Sequence, residues 1–372
     1  MLFRGTEEHP SAHALSTAFE DLGGSLEATT AADHGTLEIN VPQENLSRAL
    51  DLMGGVVRAP LLKDLELERG IIREEVLGDL SEEGEMIDPA SLLRSLSFGD
   101  SGLGRPITGP LTNIESFTDE QLRAHHRQTY ISADMVIAIT GPLSVETVQG
   151  QLDSSFGQVP QGTGLKCATP TEQGEPRFVS VHHPGSSQTS ISLGFRCPGR
   201  LNPQEPAVEM LLRLIDDGMA TRLYHRLCDS SGLCYSASAS YEAYEDCGLV
   251  EFEAETGHER SYDVVSELLR LTNEMTSELV KEQEWERIRK RTGWQFEAYR
   301  DEASASAHFT AMASLFGTVA TPDLRLEELL AVTRQDIQAV AERVFARTSR
   351  SLVCVGNPRK ARVDRLRSLA LQ

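Results

Sequence analysis

No stretch of this 372-residue chain reaches the roughly 18 consecutive apolar residues that a membrane-spanning helix needs, so no membrane partner is expected. Met1-Leu2-Phe3-Arg4-Gly5-Thr6 shows no basic segment leading into an apolar one, so no secretion signal is read there and the expected compartment is the cytoplasm. Basic residues are in short supply. Against 56 Asp and Glu stand only 35 Lys and Arg, a net charge of −21. A surface this acidic repels phosphate backbones, which argues against nucleic-acid binding. Cysteines are few as well. Cys167, Cys197, Cys228, Cys234, Cys247 and Cys354 contain no Cys-x-x-Cys pair, and they read as free thiols in a reducing compartment rather than as a disulfide framework.

Hydrophobic residues make up 40% and charged residues 24%, the proportions of a globular protein. The length suits two domains of roughly 150–200 residues each. Ser11–Leu22 reads as a helix ended by Gly23-Gly24. Strands are expected at Ser25–Thr30 and at Thr36–Val41, where Leu37, Ile39 and Val41 alternate. Helices follow over Glu44–Arg58, Asp64–Leu80 and Thr118–Thr129, with a short buried strand at Met135–Ile139. Gly99–Pro110 is a loop. Pro160, Gly162, Gly164, Pro170, Gly174 and Pro176 mark 161–176 as a linker between domains 1–160 and 177–372.

The second half repeats the first at low identity. Thr118 opens a helix that leads to a strand and Gly141, 23 positions on; Thr333 opens a helix that leads to the strand Leu352–Val355 and Gly356, again 23 positions on. Glu68-Arg69 and Glu286-Arg287 both sit in long helices, and Thr36–Val41 has a counterpart in Leu249–Glu255. Three matches in the same order argue for a duplication. The expected fold class is α+β: two homologous domains, each a mostly antiparallel sheet with packed helices.

Asp64–Leu80 carries the most chemistry. Leu65, Ile72, Val76 and Leu80 define its buried side. Glu68 and Glu75 are seven residues apart, two turns, and share one face. Two carboxylates so placed can bind a cation or support one, although a Glu on an amphipathic helix is ordinarily just solvated.

Here the sequence resembles the pitrilysin, insulinase and mitochondrial-processing-peptidase family of zinc metallopeptidases. Met1-Leu2-Phe3-Arg4-Gly5-Thr6 is similar to the residues that follow that family's inverted zinc motif, His-x-x-Glu-His. Glu68-Arg69-Gly70-Ile71-Ile72-Arg73-Glu74-Glu75 resembles the segment bearing its third zinc ligand, which aligns with Glu75, and Glu68 resembles the supporting acidic residue. Further similarities follow in order: Gly23-Gly24-Ser25 before a strand, Leu103-Gly104-Arg105-Pro106-Ile107-Thr108-Gly109, Phe117-Thr118 with Tyr130, and Thr221-Arg222-Leu223 followed by Gly232-Leu233-Cys234-Tyr235. The resemblance spans the whole chain.

It implies a hydrolase, a zinc metalloendopeptidase cleaving peptides or unfolded polypeptides with a zinc-activated water. Glu75 would ligate the metal, Tyr235 would hold substrate and the tetrahedral intermediate, and an edge strand containing Glu27 and Ala28 would pair with substrate. It also implies a homo- or heterodimer with a family member.

Two departures stand out. The two motif His and the catalytic Glu are absent from the sequence. A His immediately before Met1 would lie at the right separation from Glu75, so the expectation is that the sequence begins just past the motif and that zinc is bound only if the motif is present upstream. No other His replaces them: His125 and His126 point about 100° apart on a helix, His182 and His183 face opposite ways on a strand, and Pro10 interrupts the spacing of His9 and His13. The second departure is that the family's substrate-gripping Arg, seven residues before the Tyr, falls on Cys228. A thiol lacks the guanidinium's bidentate grip, and Arg226, two residues earlier, is turned about 200° away on a helix. The alternative expectation is a catalytically inactive partner subunit of a heterodimeric peptidase. From the residues alone, Tyr235 could also be a half-buried strand aromatic.

Overall fold

The computed structural model describes residues 1–165, 167–319 and 321–372. Lys166, inside the expected linker 161–176, lies outside the described residues. The chain forms two compact units that interleave, rather than two consecutive halves. The first draws on Met1–Val76, Ile107–Cys167 and Glu297–Pro322, the second on Leu77–Pro106, Ala168–Phe296 and Asp323–Gln372.

In the first unit, strands β1 (Glu27–Thr30) and β2 (Gly35–Glu38) form an antiparallel pair with Ala28 opposite Leu37. Its core is helical. Leu15 and Phe19 of helix Ala12–Glu20 meet Ala49, Leu52 and Val56 of helix Leu46–Arg58, with Ile39 and Val41 packed against them. Ser11 caps the first helix by accepting from the Ala14 N–H. Helix Asp119–Thr129 opens on a reciprocal capping box between Thr118 and Gln121. It is tied down by His126, whose Nε2 is 2.8 Å from the Val57 carbonyl, and by Arg123, which donates to the Leu61 carbonyl at 2.9 Å.

One expected element does not form. Among the described residues, Met135–Ile139 pairs with no strand, and Val136 and Ile137 are exposed. An apolar run supplies side chains for a sheet, but a strand exists only through its ladder partners.

The second unit holds a five-stranded sheet built from β3 (Arg177–His182), β4 (Thr189–Pro198), β5 (Ala237–Ala243), β6 (Cys247–Thr256) and β7 (Arg350–Gly356), in the order β3-β7-β4-β6-β5. All pairs are antiparallel except β3 with β7. Alternation sorts the two faces. Leu193, Phe195, Phe252, Leu352 and Cys354 lie on the apolar face, with helices Glu205–Ile215, Ser261–Ser277 and Arg334–Val344 supplying Leu211, Leu268 and Val340 to the same core. Phe195, fully buried, stacks edge-on against Phe252 and Phe345.

The opposite face carries Gly194, Arg196 and Glu251 and receives helix Pro89–Phe98. Leu93 of that helix sits where a Cβ on Gly194 would come within 2.9 Å of its methyls, and Arg196 lies over the Phe98 ring at 4.4 Å. This packing explains why Leu77–Pro106 groups with the second unit.

The duplication is visible in the elements. Each half has an antiparallel strand pair, β1–β2 and β5–β6, and Thr333 repeats the Thr118 capping box, here with Asp336. The fold is α+β, with two similar domains.

Candidate functional site

Helix Leu65–Gly78 is entered through two residues in the left-handed region, Leu62 at φ 46° and Asp64 at φ 60°. Such backbone persists in non-glycine residues only where the surroundings fix it. Arg123 reaches that backbone, donating to the Leu61 and Leu62 carbonyls at 2.9 and 3.5 Å, while Arg69 of the helix itself donates to the Ile114 and Phe117 carbonyls at 2.9 and 2.7 Å. Of the four apolar residues expected on the buried side, only Val76 is fully buried; Leu65, Ile72 and Leu80 are half-buried, and Leu67, Ile71 and Leu77 are exposed.

Glu68 is largely covered, with 17% of its side chain accessible. It forms an ion pair with Arg4 and lies 3.9 Å from the Met1 amine. Burial lowers the pKa of that amine, with Glu68 opposing the shift. Glu75, two turns on, is exposed, and among the described residues its carboxylate has no ion-pair or hydrogen-bond partner. The pair thus has unequal members, one carboxylate already neutralised and the other open to solvent.

Among the described residues no group of three His, Cys, Asp or Glu side chains is arranged to hold a metal. Zinc requires three or four ligands. The residues present therefore do not by themselves fit the zinc that the Glu75 alignment implies. Two of the His residues are occupied elsewhere, His126 with the Val57 carbonyl and His9 beside Arg48 at 3.2 Å.

Glu27 and Ala28 lie on β1, exposed throughout and, among the described residues, paired on one side only, with β2. Glu27 stands directly opposite Glu38. Two like charges in register weaken the pair and discourage edge-to-edge association.

Tyr235 is 94% exposed and precedes β5, which starts at Ala237, so it is not a half-buried strand aromatic. The segment before it is a π-helical turn, His225–Ser230, followed by Gly232 at φ 57°. The Leu233 N–H donates to the Leu227 carbonyl at 2.8 Å and folds the chain back on itself. Arg226 does not reach toward Tyr235. Its guanidinium pairs with Glu274 and lies 3.6 Å from Glu267. Arg222 is likewise committed, to Glu284 through two 2.7 Å hydrogen bonds. Cys228 occupies the position in question, its sulphur 3.8 Å from that of Cys234.

Two features of this unit gave no sequence signal. One is the Cys228–Cys234 contact, because residues six apart are neighbours on neither a regular helix nor a strand. The other is Glu251, buried at 6% exposure with one carboxylate oxygen unpaired. Burial, then Glu253, push its pKa up to about 8. A Glu in the β6 alternation reads as solvent-facing until helix Pro89–Phe98 is placed on that side.

Comparison with known proteins divides the chain differently, into consecutive stretches. Residues 1–110 match the family model described as insulinase (peptidase family M16), and residues 116–292 the one described as peptidase M16 inactive domain. An uncharacterized zinc protease of Rickettsia bellii is 24% identical over 355 residues, covering 95% of this chain and 85% of the relative. An uncharacterized zinc protease of Mycobacterium tuberculosis is 26% identical over 269 residues, 71% of this chain and 61% of the relative. The β subunit of the mitochondrial-processing peptidase of Dictyostelium discoideum is 24% identical over 302 residues, 77% of this chain and 61% of the relative. Among solved structures, a protease from Helicobacter pylori superposes with a TM-score of 0.84 at 18% identity, covering 95% of this chain and 87% of the other. A peptidase M16 inactive domain from Pseudomonas fluorescens gives 0.86 at 19% identity, covering 96% and 87%.

Proposed function

We propose, from the premise that this chain belongs to the insulinase family of peptidases, family M16, that it is a metallopeptidase-family protein acting on peptides, in which Glu75 contributes one ligand to a zinc site that the described residues do not complete by themselves. The observation that carries this reading is the unequal pair on helix Leu65–Gly78. Glu68 is held by Arg4, while Glu75 is exposed and unpartnered on the same helical face. A free carboxylate on the same helical face as a fixed one is compatible with a metal ligand and its supporting residue. Hydrolysis needs imidazoles and a general base that residues 1–372 do not arrange, so no step of it is assigned to them. The open side of β1 at Glu27 and Ala28 is proposed to pair with an extended peptide, and Tyr235, exposed to solvent, is proposed separately as a substrate contact.

The test is metal analysis of the protein expressed from its whole open reading frame. We expect one zinc per chain, lost or weakened at least tenfold in Glu75→Gln. Unchanged zinc affinity in that variant removes Glu75 from the ligand set. Residues 1–372 alone are expected to hold no stoichiometric zinc at neutral pH.

A second reading is a non-catalytic partner subunit, and a separate observation weakens the case for full activity. Cys228 stands where a substrate-gripping Arg is expected, and the nearby Arg226 is bound by Glu274 and Glu267. Peptide cleavage by the purified protein alone, compared with cleavage only after a second family member is added, separates the two readings.

A further inference from the structure

Two thiols lie in contact immediately before the exposed Tyr235. The sulphurs of Cys228 and Cys234 are 3.8 Å apart, a van der Waals separation, and both residues are free cysteines. Their backbones are held side by side by a dense local set of bonds. The N–H groups of Leu233 and Cys234 both point at the Leu227 carbonyl, at 2.8 and 3.3 Å, and the Gly232 N–H donates to the Cys228 carbonyl at 3.2 Å. The returning strand of this loop is fixed from outside as well. Thr256 donates to the Leu233 carbonyl and Arg260 to the Gly232 carbonyl, both at 2.6 Å. Leu227 anchors the other side in the core. A covalent bond requires the sulphurs to close from 3.8 Å to about 2.0 Å.

The two thiols differ in access. Cys228 is half-buried on a turn whose neighbours Asp229 and Ser230 are exposed, whereas Cys234 is buried. Burial, together with Cys228, pushes the Cys234 thiol up to about 12. Among the other cysteines of this unit, Cys197 and Cys247 stand at adjacent register positions, without the direct sulphur contact seen at Cys228 and Cys234. Cys354 is buried in the middle of the sheet, and Cys197 and Cys247 are held in β4 and β6.

The geometry points to Cys228 and Cys234 as a reversible dithiol–disulfide pair, a modification site in which Cys228 is attacked first, Cys234 resolves it, and the closed bond fixes the residue next to Tyr235. The oxidant is a low-molecular-weight disulfide of the glutathione type. Cys228 loses its proton to solvent, and its thiolate attacks one sulphur of the small disulfide. That S–S bond breaks, and the first small thiolate leaves and takes up a proton. Cys234, once deprotonated, attacks the Cys228 sulphur; the mixed disulfide breaks and the second small thiolate leaves and is protonated. The protein has lost two electrons and two protons, and the small disulfide has become two thiols. Because the Cys234 proton is held tightly, the second step should be the slow one and should quicken as pH rises.

The pair is independent of the peptidase reading, and its test does not use activity. The protein is incubated with oxidised glutathione, remaining thiols are alkylated, and the fragment Leu227–Arg260 is weighed after proteolysis without reduction. The wild type and Cys247→Ser are expected to show a fragment lighter by two hydrogens with Cys228 and Cys234 protected from alkylation, reversed by dithiothreitol. Cys234→Ser is expected to stop at a persistent glutathione adduct on Cys228, and Cys228→Ser to show neither adduct nor bond at Cys234. A persistent adduct in the wild type, an unmodified pair, or a bond mapped to Cys247 overturns the assignment. Should either serine variant fail to fold, mapping of the wild-type fragment decides alone.

Discussion

Arg4 and Glu68, 64 residues apart, form an ion pair in which only 16% and 17% of the two side chains remain accessible. The pair ties the start of the chain to helix Leu65–Gly78. Each group has been largely taken from water, so losing one partner leaves the other poorly solvated. Arg4→Ala and Glu68→Gln are each expected to lower stability by about 1–3 kcal/mol, and the double variant by less than their sum. A double-mutant cycle by chemical denaturation checks this; full additivity would mean that the two side chains do not interact.

Glu251 makes stability depend on pH. In an unfolded chain a Glu titrates near 4.5, whereas the buried Glu251 holds its proton up to about 8, with Glu253 and Glu242 raising it and Ser192 and Arg94 opposing. Between those values the folded protein keeps a proton that the unfolded chain releases. The group's contribution to stability therefore falls as pH rises from about 4.5 to about 8 and is level above that. Each tenfold difference in proton affinity corresponds to about 1.4 kcal/mol. Glu251→Gln, which stays neutral, is expected to melt close to the wild type at pH 5 and several degrees higher at pH 9. Parallel pH profiles for the two proteins would refute this.

Much of this architecture was legible because it follows from periodicity and capping. Thr118 and Thr333 announce their helices through side chains that reach back to the backbone, and β6 extends the expected Leu249–Glu255 by a few residues. The misses share a physical cause: they depend on what packs against the residue rather than on its own sequence neighbourhood. Met135–Ile139 has strand-like residues and no ladder partner among the described residues. Tyr235 stands in an alternating stretch, yet the chain is still leaving a π-helical turn there and the side chain points into solvent. The spacing of Glu68 and Glu75 was readable, but the commitment of Glu68 to Arg4 is tertiary and was not.

Gly54 is a packing glycine. A Cβ built on it would lie 2.3 Å from the Ser155 carbonyl oxygen, so helices Leu46–Arg58 and Val145–Phe156 meet there backbone to backbone. Ser155 adds a hydroxyl hydrogen bond to Asp51 at 2.6 Å. Gly54→Ala would ordinarily favour a helix by up to about 1 kcal/mol, but here the methyl must push the helices apart. Overpacking of this kind typically costs about 1–3 kcal/mol, and a net loss is expected. Gly78→Ala, where a Cβ meets nothing within 4 Å, is the control and is expected not to destabilise. Thermal melting of the two variants side by side measures the difference.

Arg325 holds three carboxylates in the second unit, Glu205, Glu209 and, at 3.3 Å, the more exposed Glu328. It lies 2.6 Å from both Glu205 and Glu209, with 14% of its side chain accessible, and Glu209 is also held by Arg213 at 2.8 Å. Burial dominates at Glu205 and raises its pKa even with Arg325 beside it, whereas the two arginines outweigh burial at Glu209 and lower it. Removing Arg325 thus strands Glu205 more completely than Glu209. Arg325→Met, which keeps the buried stem without the charge, is expected to cost about 3–5 kcal/mol at neutral pH, the usual loss when a buried pair is broken from one side. The loss should shrink as pH falls toward 5, because Glu205 without its arginine protonates more readily and the stranded charge disappears. Adding Glu205→Gln to Arg325→Met should restore much of the lost stability at pH 7. Failure of that rescue in urea denaturation would show that Arg325 acts through packing alone.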